Sequence, residues 1–199
     1  MNRASRLYRF LHAVVRVLVA VLFPLRVTGA DRLPPEGGAI LCSNHISLLD
    51  PVILAIAIDR PVRYMAKVEL FKPAWFGKFL TMLGAFPVRR GQSDLSALRA
   101  ALGIVKDGEL LGIFAQGHRD KAGEMKMESG VSLIALRSGA AVVPVYMAGP
   151  YRLFRRFRLS IGRPVDLSAY GGKCDSEALR SATDDIERSV RALATCDDA

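Results

Sequence analysis

The sequence is poor in the residues that build metal and disulfide sites. Its three cysteines, Cys42, Cys174 and Cys196, are odd in number, widely scattered and without CxxC spacing, which argues against a disulfide framework or thiolate zinc site and for a reducing compartment. Only His12, His45 and His118 supply imidazole, none with a second histidine at metal-ligand spacing, so no metal is expected. Neither GxSxG nor a Walker-type GxxxxGK[ST] occurs, which removes the commonest serine-hydrolase and nucleotide-hydrolase signals. Internal repeats and low-complexity linkers are missing too. Acidic residues are outnumbered, with 19 Asp and Glu against 28 Lys and Arg and a formal charge of +9. Such a surface attracts polyanions, whether nucleic acid, an anionic bilayer or a phosphorylated substrate.

A long uninterrupted apolar run is also lacking. Residues 5–25, SRLYRFLHAVVRVLVAVLFPL, begin like a membrane span, but Arg9, His12 and Arg16 break the run. The unbroken part, Val17 to Leu25, is about half of the roughly 20 residues needed to cross. At about 100° per residue, Arg6, Arg9, His12 and Arg16 fall within about a third of a helical wheel, opposite a broad face of Leu, Val and Phe. That is the pattern of a helix lying in a membrane interface; the alternatives are a signal peptide, weakened by the absence of a small-residue cleavage site after Pro24, and a core helix with snorkelling arginines. Residues 1–28 are therefore expected to be an N-terminal amphipathic, membrane-associating helix, and residues 29–199 the folded domain.

What is present suffices for that domain. Of 199 residues 51% are apolar, enough for one core without staples. After Pro34-Pro35 and Gly37-Gly38, short apolar runs alternate with longer helical patterns, which predicts a single α/β domain with a central, mostly parallel mixed sheet flanked by helices. Strands are expected at 39–43, 62–66, 84–88, 110–115, 142–147 and 157–161. Helices are expected at 51–58, 74–83, 93–106, 129–138 and 175–194. Ligands of such sheets usually sit at the C-terminal ends of the parallel strands, where His45, Arg90 and Gln116 to Arg119 would stand.

The stretch SNHISLLDP, residues 43–51, sets His45 and Asp50 five residues apart. Asp50-Pro51 ahead of VILAIAI has the form of an N-cap followed by proline at the first helical position. Asn44 and His45, by contrast, are polar residues ending an apolar strand, where packing does not call for them. On one continuous helix a spacing of five places side chains about 140° apart, out of reach. With a turn between them, the carboxylate can reach back to one imidazole nitrogen while the other accepts a proton. Both readings, capping and proton transfer, are open on the residues alone.

Asn44-His45-Ile-Ser-Leu-Leu-Asp50-Pro resembles the NHxxxxD motif of the glycerolipid acyltransferases, the family that includes 1-acylglycerol-3-phosphate acyltransferase. The similarity runs through almost the whole chain in the family's order. Gly84-Ala-Phe-Pro-Val-Arg-Arg90-Gly resembles the second motif, with Arg90 at its arginine. Ile113-Phe-Ala-Gln-Gly-His-Arg119-Asp stands where the family usually has phenylalanine-proline-glutamate-glycine-threonine-arginine-serine. Val142-Val-Pro-Val-Tyr-Met resembles the fourth motif, with Pro144 in its usual place. The resemblance implies that His45 is the general base on an acceptor hydroxyl, that Asp50 orients it, and that the hydroxyl attacks an acyl thioester directly. It further implies substrate binding by Asn44, Arg90, Gln116, Gly117, His118 and Arg119, with Arg90 and Arg119 on the acceptor's phosphate. Arginine's planar fork suits phosphate oxygens, and glycines Gly91 and Gly117 allow close approach. In the third motif the sequence departs from the family: Ala115 replaces proline, Gln116 glutamate, His118 threonine and Asp120 serine. Gln116 keeps a carbonyl acceptor but lacks the charge.

Two further segments bear on lipids. FKPAWFGKFLTML, residues 71–83, offers Phe71, Trp75, Phe76, Phe79 and Leu80 for core packing, for the headgroup boundary or for an acyl channel. YRLFRRFR, residues 151–158, mixes aromatics with Arg152, Arg155, Arg156 and Arg158, suiting a membrane-facing or donor-facing patch or a single-stranded nucleic-acid site.

The resulting expectation is a peripheral enzyme on the cytoplasmic face of the cell membrane, acylating the sn-2 hydroxyl of lysophosphatidic acid in phospholipid synthesis. Acyl-CoA or an acyl carrier protein serves as co-substrate; no other cofactor and no nucleic acid is expected. The rivals are another lysolipid acceptor, a thioesterase-like hydrolase, and a non-catalytic basic protein of the same fold that binds membrane or nucleic acid.

Overall fold

The computed structural model describes residues 17, 21–89, 94–114 and 127–195. Its centre is a seven-stranded sheet: β1 (Leu25–Thr28), β2 (Ala39–Ser43), β3 (Val62–Lys67), β4 (Ala85–Val88), β5 (Leu110–Phe114), β6 (Ala141–Ala148) and β7 (Phe157–Ile161). The order across it is β1-β7-β6-β2-β5-β3-β4. Every neighbouring pair is parallel except β6 and β7, which are antiparallel. Strands β2 to β6 therefore end at one rim, and β7 and β1 start there.

Five helices cover the sheet: α1 (Asp50–Ala57), α2 (Ala74–Met82), α3 (Leu95–Lys106), α4 (Gly130–Ser138) and α5 (Ser176–Thr195). Alternate residues of a strand point to opposite faces, and β2 shows the result. Ala39 and Leu41 pack with Ile53, Leu54 and Ile56 of α1. Ile40 and Cys42 pack with Ala101 and Val105 of α3, Val131 and Ile134 of α4, and Ile186 and Val190 of α5. Side chains on both faces of β2 are buried, which is why this central parallel strand reads as an unbroken apolar run.

The six expected strands and five expected helices all form, with ends within a residue or two of those expected; the expected ends at Ser93 and Ala115 lie outside the described residues. The expected β4 begins one residue later because Gly84, at φ +88, belongs to the turn out of α2. The larger correction is β1. Leu25–Thr28, assigned from the sequence to the N-terminal helix, pairs with Phe157–Ser160 of β7. The preceding chain is fastened as well, since Phe157 N–H donates to Pro24 O at 2.9 Å and Phe154 N–H to Leu22 O at 2.6 Å. The sheet thus begins before residue 29, and a truncation that leaves it intact has to stop short of Leu22. Most of the expected amphipathic segment lies outside the described residues. Among the described residues, no helix is long and apolar enough to cross a membrane.

Candidate active site

Strand β2 lies between β5 and β6, so the connection after Ser43 emerges at the middle of the rim. Asn44 is buried there, with an amide that bridges to the next strand: Nδ2 donates to Met147 O at 3.0 Å, and Met147 N–H donates to Oδ1 at 2.8 Å. Both ends of the amide are used within the protein. These bonds tie the end of β2 to β6 and fix the position of Asn44 beside His45.

The turn that follows closes on one carboxylate. His45 Nδ1 lies 2.7 Å from Asp50 Oδ2, and the same oxygen accepts from Ile46 N–H at 2.7 Å and Ser47 N–H at 2.8 Å. Leu49 N–H in turn donates to Ser47 Oγ at 3.2 Å. This is close to a capping box just ahead of α1: Asp50 reaches back to the Ser47 N–H as the box requires, while the Ser47 hydroxyl takes the Leu49 N–H in place of that of Asp50. Asp50 is therefore not the N-cap that Asp-Pro suggests; it is the first residue of the helix, and its side chain points away from the helical N–H groups. The sequence Ser47-Leu48-Leu49-Asp50 carries the S-x-x-[DE] signature of that box, a signal that spacing to the proline alone conceals.

The second oxygen has a partner absent from the sequence reading. Tyr151 Oη donates to Asp50 Oδ1 at 2.6 Å, and its ring stacks on Phe157 with centroids 4.2 Å apart. Burial first, then the charge of Asp50 and this hydrogen bond, push the Tyr151 phenol above its ordinary range, so it remains a donor. Asp50 is wholly buried, and its two oxygens receive four hydrogen bonds, which offset the loss of water around a carboxylate.

The His45 side chain is 12% exposed. Its ring stacks on Phe114, the last residue of β5, with centroids 4.6 Å apart and planes at 29°. Phe114 in turn faces the ring of Tyr64 at 6.3 Å. Gly112 makes room for Tyr64 across β5, since a Cβ there would stand 2.6 Å from the tyrosine ring. The carboxylate and Phe114 together hold the imidazole in one orientation. Asp50 Oδ2 already accepts from two backbone N–H groups, so Nδ1 is the ring nitrogen that donates to it, and Nε2 is the one that can act as a base.

A cleft of about 490 Å³ opens beside this pair, between Ile46 and Ser47 on one side and Tyr146, Met147 and Tyr151 on the other. That volume is typical of small-ligand sites. Cys42, although near His45 in sequence, faces the α3–α5 layer, with Sγ 3.8 Å from Met127 Sδ. Burial pushes its thiol up to about 12, which removes it as a nucleophile. Among the described residues, no group of His, Cys, Asp and Glu is placed to hold a metal ion.

Arg90, Gln116, Gly117, His118 and Arg119 lie outside the described residues. The strands leading to them, β4 and β5, both end at the His45 rim. Asp94 caps α3 through Ser96 N–H and Ala97 N–H and also accepts from Arg89 N–H at 2.8 Å. It thereby ties the end of β4 to the start of α3. The Ser96 hydroxyl and these backbone donors hold its carboxyl well below the usual carboxylate range.

Three comparisons bear on the identity of this arrangement. A family model described as Acyltransferase matches residues 24–148. The chain is similar to the 1-acyl-sn-glycerol-3-phosphate acyltransferase of Bacillus subtilis, 28% identical over 193 residues that cover 94% of this chain and 96% of that protein. It is also similar to the enzymes of that name from Streptococcus pneumoniae, 29% identical over 82% of this chain and 63% of the relative, and from Borreliella burgdorferi, 28% identical over 64% and 52%. The chain thus spans nearly all of the first relative but about half to two thirds of the other two. Among solved structures it resembles the 1-acyl-sn-glycerophosphate (LPA) acyltransferase, PlsC, from Thermotoga maritima, with a TM-score of 0.72 and 21% identity, covering 100% of this chain and 85% of that one. At that identity the likeness speaks for the fold.

Proposed function

Since the chain belongs to the acyltransferase family, matched over more than half its length, we propose that it moves a fatty acyl group from a thioester to the hydroxyl of a lysophospholipid. The acceptor we assign is 1-acylglycerol-3-phosphate and the product phosphatidic acid, a reading supported by the shared name of the relatives. The donor is an acyl-CoA or an acyl carrier protein.

The observation that carries the reading is the 2.7 Å contact between His45 Nδ1 and Asp50 Oδ2 at the strand-end rim. In the proposed reaction, His45 Nε2 takes the proton of the acceptor hydroxyl as its oxygen attacks the thioester carbonyl. Asp50 stabilises the imidazolium that results. The tetrahedral intermediate collapses with cleavage of the carbon–sulfur bond, and the imidazolium returns the proton to the departing thiolate. No acyl-enzyme is required, consistent with the inert Cys42. Arg90 and Arg119 are assigned to the acceptor phosphate, with Gln116, Gly117 and His118 around it. The enzyme is placed peripherally on the cytoplasmic face of the membrane, held by its basic surface and the amphipathic segment within residues 1–28.

The test is thiol release from acyl-CoA and from acyl carrier protein across a panel of lysolipids. Release that depends on lysophosphatidic acid is the expected result. Release without acceptor would mean hydrolysis, and preference for another head group would trace to Gln116 and His118 in place of the family's glutamate and threonine. Tyr151 enters the same scheme as a positioning residue. Its replacement by phenylalanine should lower kcat roughly tenfold, the worth of one hydrogen bond to a charged group. Acceptor KM should stay unchanged, a split that steady-state kinetics resolves.

A further inference from the structure

Large apolar side chains left in water are informative by where they gather. Among the described residues they gather at the rim that carries His45: Leu48 and Leu49 in the turn before α1, Leu70 and Trp75 after β3, Leu153 and Phe154 after β6. Leu95, 60% exposed, opens α3 at the same rim, and Phe79, 43% exposed, lies further along α2.

The connection from β6 to β7 is the most pronounced of these. Leu153 is 60% and Phe154 69% exposed, and Arg152, Arg155 and Arg156 beside them are exposed too. Phe154 sits at φ +60, a left-handed conformation that bulky residues seldom adopt. Its N–H is bonded to Leu22 O, so the backbone that turns the ring outward is held in place. The same bond sets the connection against the end of the N-terminal segment, where Val21 is 62% exposed. An apolar tip ringed by arginines suits an anionic bilayer, in which the rings enter the headgroup boundary and guanidinium groups meet lipid phosphates. An acidic carrier protein would be matched by the charges alone and would leave Leu153 and Phe154 unexplained.

We infer that residues 152–156 form a membrane contact of their own on an anionic bilayer, beside the N-terminal segment. The inference rests on the lipid-acceptor reading above, but its test is separable. The full chain carrying Leu153→Ser and Phe154→Asn, with asparagine chosen because it tolerates positive φ, is sedimented with vesicles of phosphatidylglycerol and phosphatidylcholine. Affinity should fall roughly tenfold or more, as expected when two large apolar side chains are removed from the interface. Circular dichroism and thermal midpoint should not change, because neither side chain is buried. The chain has one tryptophan, so Phe154→Trp in a Trp75→Phe background reports insertion directly, and brominated acyl chains should quench it. Unchanged vesicle affinity or absent quenching would overturn the inference, as would a raised KM for acyl carrier protein with vesicle binding intact. Should the native chain acylate no lysolipid, the functional reading falls, while binding and quenching still decide this one.

Discussion

Replacing His45 with alanine is expected to lower acceptor-dependent thiol release by roughly two to four orders of magnitude, the usual contribution of a positioned base. The imidazole is placed both to take a proton and to be held by Asp50, and among the described residues no second histidine stands beside it. The fold should survive. His45 lies past the end of β2, and its ring stacks on one face of Phe114; the Ile46 and Ser47 N–H bonds to Asp50 do not involve the ring. Circular dichroism and the thermal midpoint, measured beside the kinetics, separate lost chemistry from lost structure. Undiminished transfer by a folded variant would remove His45 as the base.

Asp50→Asn should lower turnover by about three orders of magnitude, with little change in acceptor KM. The amide keeps the shape of the side chain and one strong acceptor for the Ile46 and Ser47 N–H groups. What it loses is the negative charge beside an imidazolium that exists only during reaction, and that loss falls on kcat. Asp50→Ala differs, because it leaves the His45, Ile46, Ser47 and Tyr151 donors without their acceptor in a buried place. It should cost about 3–5 kcal/mol of stability, as removing one partner from a buried polar set does. Chemical denaturation of the two variants distinguishes these effects. If Asn and Ala proved equally active and equally stable, the carboxylate would be neither a charge partner nor the centre of the turn.

The parts of the fold visible in the sequence were those with local causes. Ala39–Ser43 reads as a strand because a central parallel strand is apolar on both faces, and α3 reads as a helix because its apolar residues recur at helical spacing between two strands. Strand β1 escaped because LRVT follows Pro24 at the end of an apolar run; only pairing with β7, more than a hundred residues away, makes it a strand. The same division holds at the site. His45 and Asp50 are near in sequence, so a turn between them could be argued from spacing. Tyr151 reaches Asp50 across 101 positions, from a stretch whose arginines drew attention to charge. Asn44 was visible as a polar residue where none was needed for packing, but its use in binding Met147 depends on β6 lying beside β2, which no local pattern encodes.

The three donors gathered on Asp50 Oδ2 make the interval between base and acid a ruler. Its length is set by the reach of an aspartate side chain, not by the lipid. A glutamate would carry equal charge on an arm longer by about 1.5 Å and would have to unseat either the imidazole or the two backbone N–H groups. This short stretch therefore has room for neither an inserted residue nor a longer acid.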